Sequence, residues 1–288
     1  MAEPLVEIRN LQVAFASATG VTPAVRGLSL TIGREKLGIV GESGSGKSVP
    51  GRALMRLLPS SADVRADVLR FDTTDILHAP ERELRRIRGG RIGLILQDPK
   101  YSLNPVMTIG RQIGEALRQH KRVGRGEARD RSLALLESVR IRDPRRVLDS
   151  YPHEVSGGMG QRVMIAMMLA PEPDLLIADE PTSALDASVQ ADILRLIGDL
   201  VDSRGMALML ISHDLPLVSH FCDRILVMYS GQVMEELKAS ELHRAEHPYT
   251  RGLLACLPSL ARPRERLQTL TRDPAWLTQQ APLVGAAA

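Results

Sequence analysis

Short apolar segments alternate along the chain with longer segments in which apolar residues recur at helical spacing. Four of the apolar segments have the composition of buried strands, and each runs directly into a polar loop. They read KLGIVGESG (36–44), RIGLILQDP (91–99), DLLIADEP (174–181) and ALMLISHD (207–214). The alternation predicts an α/β sheet wrapped by crossover helices. Because ligands of open parallel sheets bind at the carboxyl ends of the strands, we expect the four loops to assemble one site.

Other parts of the chain follow different patterns. The segments VEIRNLQVAF (6–15) and AVRGLSLTI (24–32) alternate apolar with polar residues, which predicts antiparallel strands. Residues from about 104 to 155 lose strand character and become helical, which predicts an inserted helical subdomain. A hairpin is expected around Ser230 and Gly231, and the tail that follows it is interrupted by prolines and weakly patterned.

Composition narrows the class of protein only in part. The 288 residues are 44% hydrophobic and 25% charged, which is typical of a globular protein with a substantial core. Aromatic residues make up only 3%, which disfavours a base-stacking surface, and we expect no nucleic acid partner. The net charge of +3 reflects arginine runs such as ERELRRIRGGR. These runs are expected to be solvated helix faces, with contact to phosphate or a membrane surface as the alternative.

Cysteine content and hydropathy bear on location. Cys222 and Cys256 are too few for a four-ligand metal site, and we expect them to be reduced packing residues in the cytosol. The start of the chain, MAEPLVEIRN, has no apolar run, so no signal peptide is expected. The longest apolar stretches fall well short of the roughly 18 residues needed to span a bilayer. Any membrane span is therefore expected to come from a partner.

The glycine-rich segment GESGSGKS follows the first predicted buried strand and precedes a helical segment. This is the spacing and context of a phosphate-binding loop. Glycines let backbone N–H groups converge on phosphate oxygens, and the following helix start adds partial positive charge. Lys47 is expected to bridge the terminal phosphates, and Ser48 to offer a hydroxyl to Mg²⁺. The residues expected to bind nucleotide here are Gly41, Glu42, Ser43, Gly44, Ser45, Gly46, Lys47 and Ser48.

Three other strand ends carry polar residues suited to the same chemistry. Asp179 is placed to direct a carboxylate at a metal ion, and Glu180 is placed to polarise an attacking water. We expect strand alternation to send these two side chains in different directions. The alternative is that the acidic pair only caps the next helix. Gln97 and His213 end two further strands, where the sheet places the γ-phosphate.

A second glycine-rich helix entrance, VSGGMGQR at 155–162, opens an apolar helix that is expected to end before Pro171. Taken alone, its Ser-Gly-Gly is typical of an ordinary serine-capped helix start. A chain with one nucleotide-binding core needs only one phosphate loop, so this second entrance requires another explanation.

Six motifs in fixed order resemble those of the ATP-binding subunits of ABC transporters. They are a Walker A loop (GESGSGKS), a Q-loop (Gln97), a signature (VSGGM), a Walker B strand (LLIADE), a D-loop (SALD) and a switch histidine (His213). The resemblance covers roughly residues 5–258. The segments QDPKYSLNPVMTIG, YPHEVSGGM, IADEPTSALD and HPYTRGLLACLP look most like the oligopeptide, dipeptide and nickel importers.

The resemblance implies a P-loop NTPase fold with an antiparallel β subdomain and roles for the remaining site residues. It implies one nucleotide-binding domain at 1–245, with the helical subdomain at about 104–170, and a carboxyl-terminal extension at 246–288. In this family two subunits pack head to tail, and the signature of one covers the ATP of the other. The residues so assigned are Ser156, Gly157, Gly158 and Asp186 for nucleotide, Phe15 for adenine stacking, Ser48, Gln97 and Asp179 for Mg²⁺, and Glu180, His213 and Gln97 for catalysis.

The resemblance also implies partners and an activity. We expect an ATPase at the cytoplasmic face of a bacterial plasma membrane that powers uptake of a peptide or related solute. Its partners would be a second ATP-binding subunit, identical or a paralogue, two transmembrane permease subunits, and a solute-binding protein. A nickel or other metal chelate is an alternative solute. Alternative classes are an ABC-type ATPase acting on nucleic acid or ribosomes, and a small-molecule P-loop kinase.

Overall fold

The computed structural model describes residues 3–17, 20–98, 102–183, 185–257, 270 and 272–277. These residues fall into two compact units, one made of those described within 1–78 and 210–277 and the other of those described within 79–209. Within the described residues the strands are β1 (Val6–Ser17), β2 (Gly20–Ile32), β3 (Lys36–Val40), β4 (Ala62–Arg65), β5 (Val68–Phe71), β6 (Thr74–Asp75), β7 (Ile92–Ile95), β8 (Leu175–Asp179), β9 (Ala207–Ser212), β10 (Arg224–Tyr229) and β11 (Gln232–Lys238).

The helices of the described residues follow the predicted pattern. They are α1 (Val49–Leu54), α2 (Glu81–Ile87), α3 (Ile109–His120), α4 (Arg125–Ser138), α5 (Pro144–Asp149), α6 (Gly157–Leu169), α7 (Ala187–Arg204), α8 (Leu215–Phe221) and α9 (Pro248–Ala255). The four predicted buried strands are confirmed as β3, β7, β8 and β9, and the predicted helical segment contains α3, α4 and α5. The domain boundaries expected at 104–170 and 245 stay predictions.

An antiparallel sheet forms one part of the first unit. Its strand order is β2-β1-β5-β6, and β4 also pairs with β1. Val6 and Ile8 of β1, and Leu11 and Val13 beyond a register shift between Ile8 and Leu11, are at most 1% exposed. The antiparallel pair predicted for the amino-terminal segments is therefore confirmed.

The first unit also contains β3, β10 and β11, and β3 leads into the phosphate loop. β10 pairs with β3 in parallel and with β11 antiparallel. The turn between β10 and β11 has positive φ at Ser230 (47°) and Gly231 (83°), as a tight hairpin requires, and this confirms the predicted hairpin. Gly38 in β3 packs so closely on α8 that a Cβ there would lie 2.1 Å from Cγ1 of Val218. β3 therefore pairs with β10 along one edge and packs against α8 on one face.

The second unit combines a parallel strand pair with a helical cluster. β7 and β8 pair in parallel, and all five residues of β8 are buried. Helices α3, α4, α5 and α6 pack on one another around side chains that are at most 2% exposed, namely Ile113, Leu117, Leu136, Leu148 and Val163. The amide of Gln112 ties the segment before α3 to the helix through bonds with Asn104 and the carbonyl of Met107.

Candidate functional site

The phosphate loop, residues 41–48, connects the end of β3 to the start of α1. Gly44 and Gly46 have φ values of 81° and 89°, a left-handed region that side chains with a Cβ rarely adopt. A Cβ on Gly46 would also lie 2.2 Å from the carbonyl oxygen of Ala24. Glycine is thus required at position 46 for both conformation and space. Pro50 lies in the first turn of α1, where its missing N–H leaves no helical bond unmade.

Glu42 organises the interior of this loop. Its carbonyl oxygen accepts bonds from the Ser45 N–H at 3.1 Å and from Nζ of Lys47 at 3.2 Å. Lys47 is only 5% exposed, so its ammonium group is largely removed from water and held on a neutral oxygen. Burying a charged ammonium group costs free energy, and nearby negative charge offsets this cost.

A buried hydroxyl in the same loop has unused hydrogen-bonding capacity. Among the described residues, the Oγ atom of Ser45 has no partner, although the side chain is buried. Buried polar groups in proteins are almost always hydrogen-bonded, so this hydroxyl can bond to a ligand in the glycine-rich loop. The left-handed glycines, the buried ammonium of Lys47 and this hydroxyl together fit a phosphate chain.

The hairpin turn between β10 and β11 braces the phosphate loop from outside. The Gly231 N–H donates to the carbonyl of Ser45 at 2.9 Å, and the Gly231 carbonyl accepts from the Arg26 N–H at 2.8 Å. A Cβ on Gly231 would lie 2.7 Å from the Ala24 oxygen. The sequence predicted this hairpin but not its contact with the loop, because the two segments lie far apart along the chain.

Two further predicted residues belong to the same unit. His213 follows the end of β9, is exposed, and lines a cavity of about 430 Å³ together with Gly41, Glu42 and Ser43. Phe15 lies on β1 opposite Thr22 and Ala62 and is half-buried, so part of its ring is open to solvent. The structure therefore brings His213 beside the start of the phosphate loop.

The acidic pair lies in the second unit at the end of β8. Asp179 is the last residue of the strand and is 6% exposed, and Glu180 is half-buried. Strand alternation, which we expected to separate the two side chains, does not reach Glu180 because β8 ends at Asp179. Glu180 instead has φ 48°, so a left-handed turn sets its direction. Gln97, two residues beyond the end of β7, is exposed.

The signature serine caps helix α6. Ser156 Oγ accepts from the Met159 N–H at 3.4 Å, and the helix ends at Leu169, before Pro171, as predicted. Ser156 and Gly157 are exposed, whereas a Cβ on Gly158 would lie 3.3 Å from Cγ1 of Val189. The outer face of this helix start is therefore open.

The D-loop aspartate is also a helix cap. Asp186 accepts from the Val189 N–H at 3.1 Å and from Ser188 Oγ at 2.7 Å. These bonds, with the hydroxyl of Ser188 contributing most, lower the pKa of the Asp186 carboxyl. Its contact with nucleotide stays a prediction.

Sequence reasoning missed Gln161 on the signature helix. Its side chain is 1% exposed and donates to the carbonyl of Pro181, the residue after Glu180. A buried amide that joins two motif segments couples their positions. The only signal in the sequence was a polar residue at the start of an otherwise apolar helix.

No helix of the described residues is long and apolar enough to cross a bilayer. The described residues also contain no cluster of three or more His, Cys, Asp or Glu side chains able to hold a metal ion.

A buried strand that runs into a left-handed glycine loop with a buried lysine defines a P-loop nucleotide-binding protein. The model of the family described as "ABC transporter" matches residues 25–183. The chain belongs to this ABC transporter family, and it is an ATPase subunit of the kind whose hydrolysis is coupled to transport.

Curated relatives and solved structures agree with this membership. The "Probable peptide ABC transporter ATP-binding protein y4tR" of Sinorhizobium fredii is 49% identical over 268 residues, which cover 92% of this chain and 80% of that protein. The "Dipeptide transport ATP-binding protein DppD" of Haemophilus influenzae is 46% identical, with coverages of 92% and 81%. The dimeric ATP-binding cassette MJ0796, bound to ADP and Pi, matches with a TM-score of 0.70 at 28% identity, covering 81% of this chain and 98% of that one. The predicted fold and ATPase class are confirmed.

Proposed function

We propose that this chain hydrolyses ATP to power the uptake of a peptide or a similar small solute through separate membrane subunits. The observation that carries the proposal is the phosphate loop, in which Gly44 and Gly46 are left-handed and Lys47 is buried on the Glu42 carbonyl. The names of the curated relatives support a peptide as the solute.

In this proposal the loop N–H groups and Lys47 bind the phosphates of ATP. α1 has only six residues, so its dipole contributes less than the sequence suggested, and the loop N–H groups and the ammonium carry most of the attraction. Ser48, Asp179 and Gln97 would hold Mg²⁺, which neutralises phosphate charge when bound. Phe15, half-open on its strand, would offer its ring face to adenine.

Glu180 is assigned as the base or orienting group for the attacking water, and His213 as a hydrogen-bond partner for the γ-phosphate. The left-handed backbone at Glu180 supports this assignment, since strained residues cluster where a side chain must be aimed. Gln97 would orient the metal and the water. In this proposal the protein positions the reacting groups and stabilises charge, and it forms no covalent bond with the phosphate.

The exposed start of α6 is assigned to a partner subunit. Ser156, Gly157 and Gly158 would present N–H and hydroxyl groups to ATP held by a second ATP-binding subunit, identical or a paralogue, with Asp186 nearby. Two permease subunits and a solute-binding protein would complete the importer, with this chain at the cytoplasmic face of the membrane. Gly157 is exposed, which supports a surface that meets another chain.

Two experiments test the proposal. Lys47→Ala should remove most ATP affinity of the purified chain because the phosphates lose their buried cation. Unchanged ATP binding in this variant would contradict the loop assignment. A tagged chain purified in mild detergent from its native host should recover two polytopic membrane proteins and a second ATP-binding subunit, and recovery with ribosomes or nucleic acid would instead favour that alternative class.

The solute is tested separately, with the reconstituted complex and its solute-binding protein. Peptide should stimulate ATP hydrolysis, whereas stimulation by a nickel chelate alone would replace the peptide by a metal chelate in the proposal.

A further inference from the structure

The carboxyl-terminal part of the chain returns to the phosphate loop. α9 and residues 272–277 belong to the same compact unit as the loop. The Glu42 N–H donates to the hydroxyl oxygen of Tyr249 at 3.3 Å, and Nη2 of Arg272 lies 3.3 Å from a carboxylate oxygen of Glu42. Two side chains from the predicted extension therefore meet the same residue of the loop.

An aromatic cluster fixes Tyr249 in place. The ring of Tyr249 is fully buried, and its centroid lies 5.7 Å from that of Trp276 and 4.7 Å from that of Tyr229. Trp276 is itself 6% exposed and also packs edge-on against His247. Burial raises the pKa of Tyr249 to about 12, so its hydroxyl stays protonated at neutral pH. The ring has little freedom to move, and its hydroxyl is a fixed point.

The contact continues into the part of the loop that faces phosphate. Glu42 is held by its N–H on Tyr249, and its carbonyl accepts from Lys47 Nζ and from the Ser45 N–H. Movement of Glu42 would therefore displace one acceptor of the lysine ammonium. Leu253, Leu257 and Arg272 also line the cavity of about 430 Å³ that contains His213 and the start of the loop.

We propose that α9 and residues 272–277 form a strap that positions the phosphate loop for ATP, with Tyr249 as the positioning residue and Trp276 as its support. The hydrogen bonds that Tyr249 and Arg272 make with the loop are both with Glu42, so the strap acts on ATP binding through that residue. This inference rests on the phosphate-loop role proposed above for Lys47.

The two strap contacts differ in strength. The Arg272 side chain is 65% exposed and that of Glu42 is 31% exposed, so their ion pair is screened by water and salt and contributes little. The Tyr249 bond is part-buried, and its hydroxyl sits on a ring that cannot move away. Removing the hydroxyl leaves a part-buried N–H without its partner, which is the more damaging change.

The test uses a matched pair of variants in the full chain. Tyr249→Phe removes the hydroxyl that holds Glu42 and keeps the ring. Tyr229→Phe makes the same chemical change in the same aromatic cluster, where the Tyr229 hydroxyl bonds to no described residue. Binding of a nonhydrolysable ATP analogue with Mg²⁺ is measured by titration calorimetry, and melting without nucleotide shows whether each variant folds.

We expect Tyr249→Phe to weaken analogue binding by about threefold to tenfold, the effect of one lost hydrogen bond. Tyr229→Phe should stay within about 1.5-fold of the unaltered chain. In the reconstituted complex, KM for ATP should rise by the same factor, while kcat at saturating ATP stays within about twofold. Equal affinities for the two variants, or a fall in kcat with KM unchanged, would overturn the strap.

Three further variants keep the result unambiguous. Lys47→Ala separates the two proposals. If this variant still binds the analogue, the phosphate-loop role fails. If Lys47→Ala loses binding while Tyr249→Phe binds normally, only the strap fails. Should Tyr249→Phe not fold, Trp276→Phe and Trp276→Ala replace it. Trp276→Ala should weaken binding at least about threefold and Trp276→Phe less than about twofold, because a second aromatic ring still confines Tyr249. Equal affinities for these two would also overturn the strap.

Discussion

The two left-handed glycines of the phosphate loop allow backbone strain to be separated from steric fit. Gly44 has φ 81° and open space where a Cβ would sit, whereas Gly46 has φ 89° and a Cβ would lie 2.2 Å from the Ala24 oxygen. Left-handed backbone at a non-glycine residue costs about 1–2 kcal/mol. Overpacking against a backbone atom adds about 1–3 kcal/mol. Gly46→Ala therefore incurs both the backbone strain and the overpacking, whereas Gly44→Ala incurs only the backbone strain.

In affinity, strain alone corresponds to roughly a 5- to 30-fold loss, and both terms to a loss of roughly 30-fold or more. We expect Gly44→Ala and Gly46→Ala to weaken ATP binding by these factors, because each loop must regain its left-handed shape around phosphate. Titration calorimetry measures the affinity, and thermal melting shows how much of each effect falls on folding instead. Equal losses in affinity and in stability for the two variants would refute the steric argument.

Two other predictions concern the signature and a buried thiol. Ser156→Arg should leave ATP binding to the isolated chain intact but block formation of the ATP-bound dimer, measured by gel filtration, and loss of binding in the isolated chain would contradict the assignment. Burial raises the pKa of Cys222 to about 12, so stability present below pH 9 should fall as pH rises from about 9 to 12, and Cys222→Ala should flatten this fall in denaturant melts. A fall of equal slope in both proteins would exclude the thiol as its cause.

The sequence predicted those parts of the molecule whose conformation is determined by residues close to one another in the chain. Buried parallel strands such as β8 are continuous apolar runs, so their positions could be read directly. The turn at Gly231 was readable because only glycine-type backbone fits a tight hairpin there. The phosphate loop was readable because the spacing of Gly41, Gly46 and Lys47 is set by the shape of phosphate.

Contacts between distant segments could not be read in the same way. Glu42 and Tyr249 are 207 positions apart, and no periodicity links them. The left-handed backbone of Glu180 could not be read either, because β8 ends at Asp179 and strand alternation says nothing of the dihedral angles that follow. Gln161 could not be singled out either, because the carbonyl of Pro181 that it contacts lies 20 positions away. In each case a tertiary contact or a backbone dihedral decides the outcome, and neither leaves a local pattern.

The central claim is that hydrolysis at Glu180 drives transport, and solute uptake by the reconstituted importer tests it most directly. The measurement is ATP-driven peptide uptake into proteoliposomes, with Glu180→Gln in this chain and the matching glutamate of the second ATP-binding subunit neutralised. The amide keeps the shape of the side chain but lacks its basicity, so hydrolysis and uptake should fall by roughly 10²- to 10⁴-fold, while nucleotide still binds. Uptake at close to the unaltered rate would contradict the account.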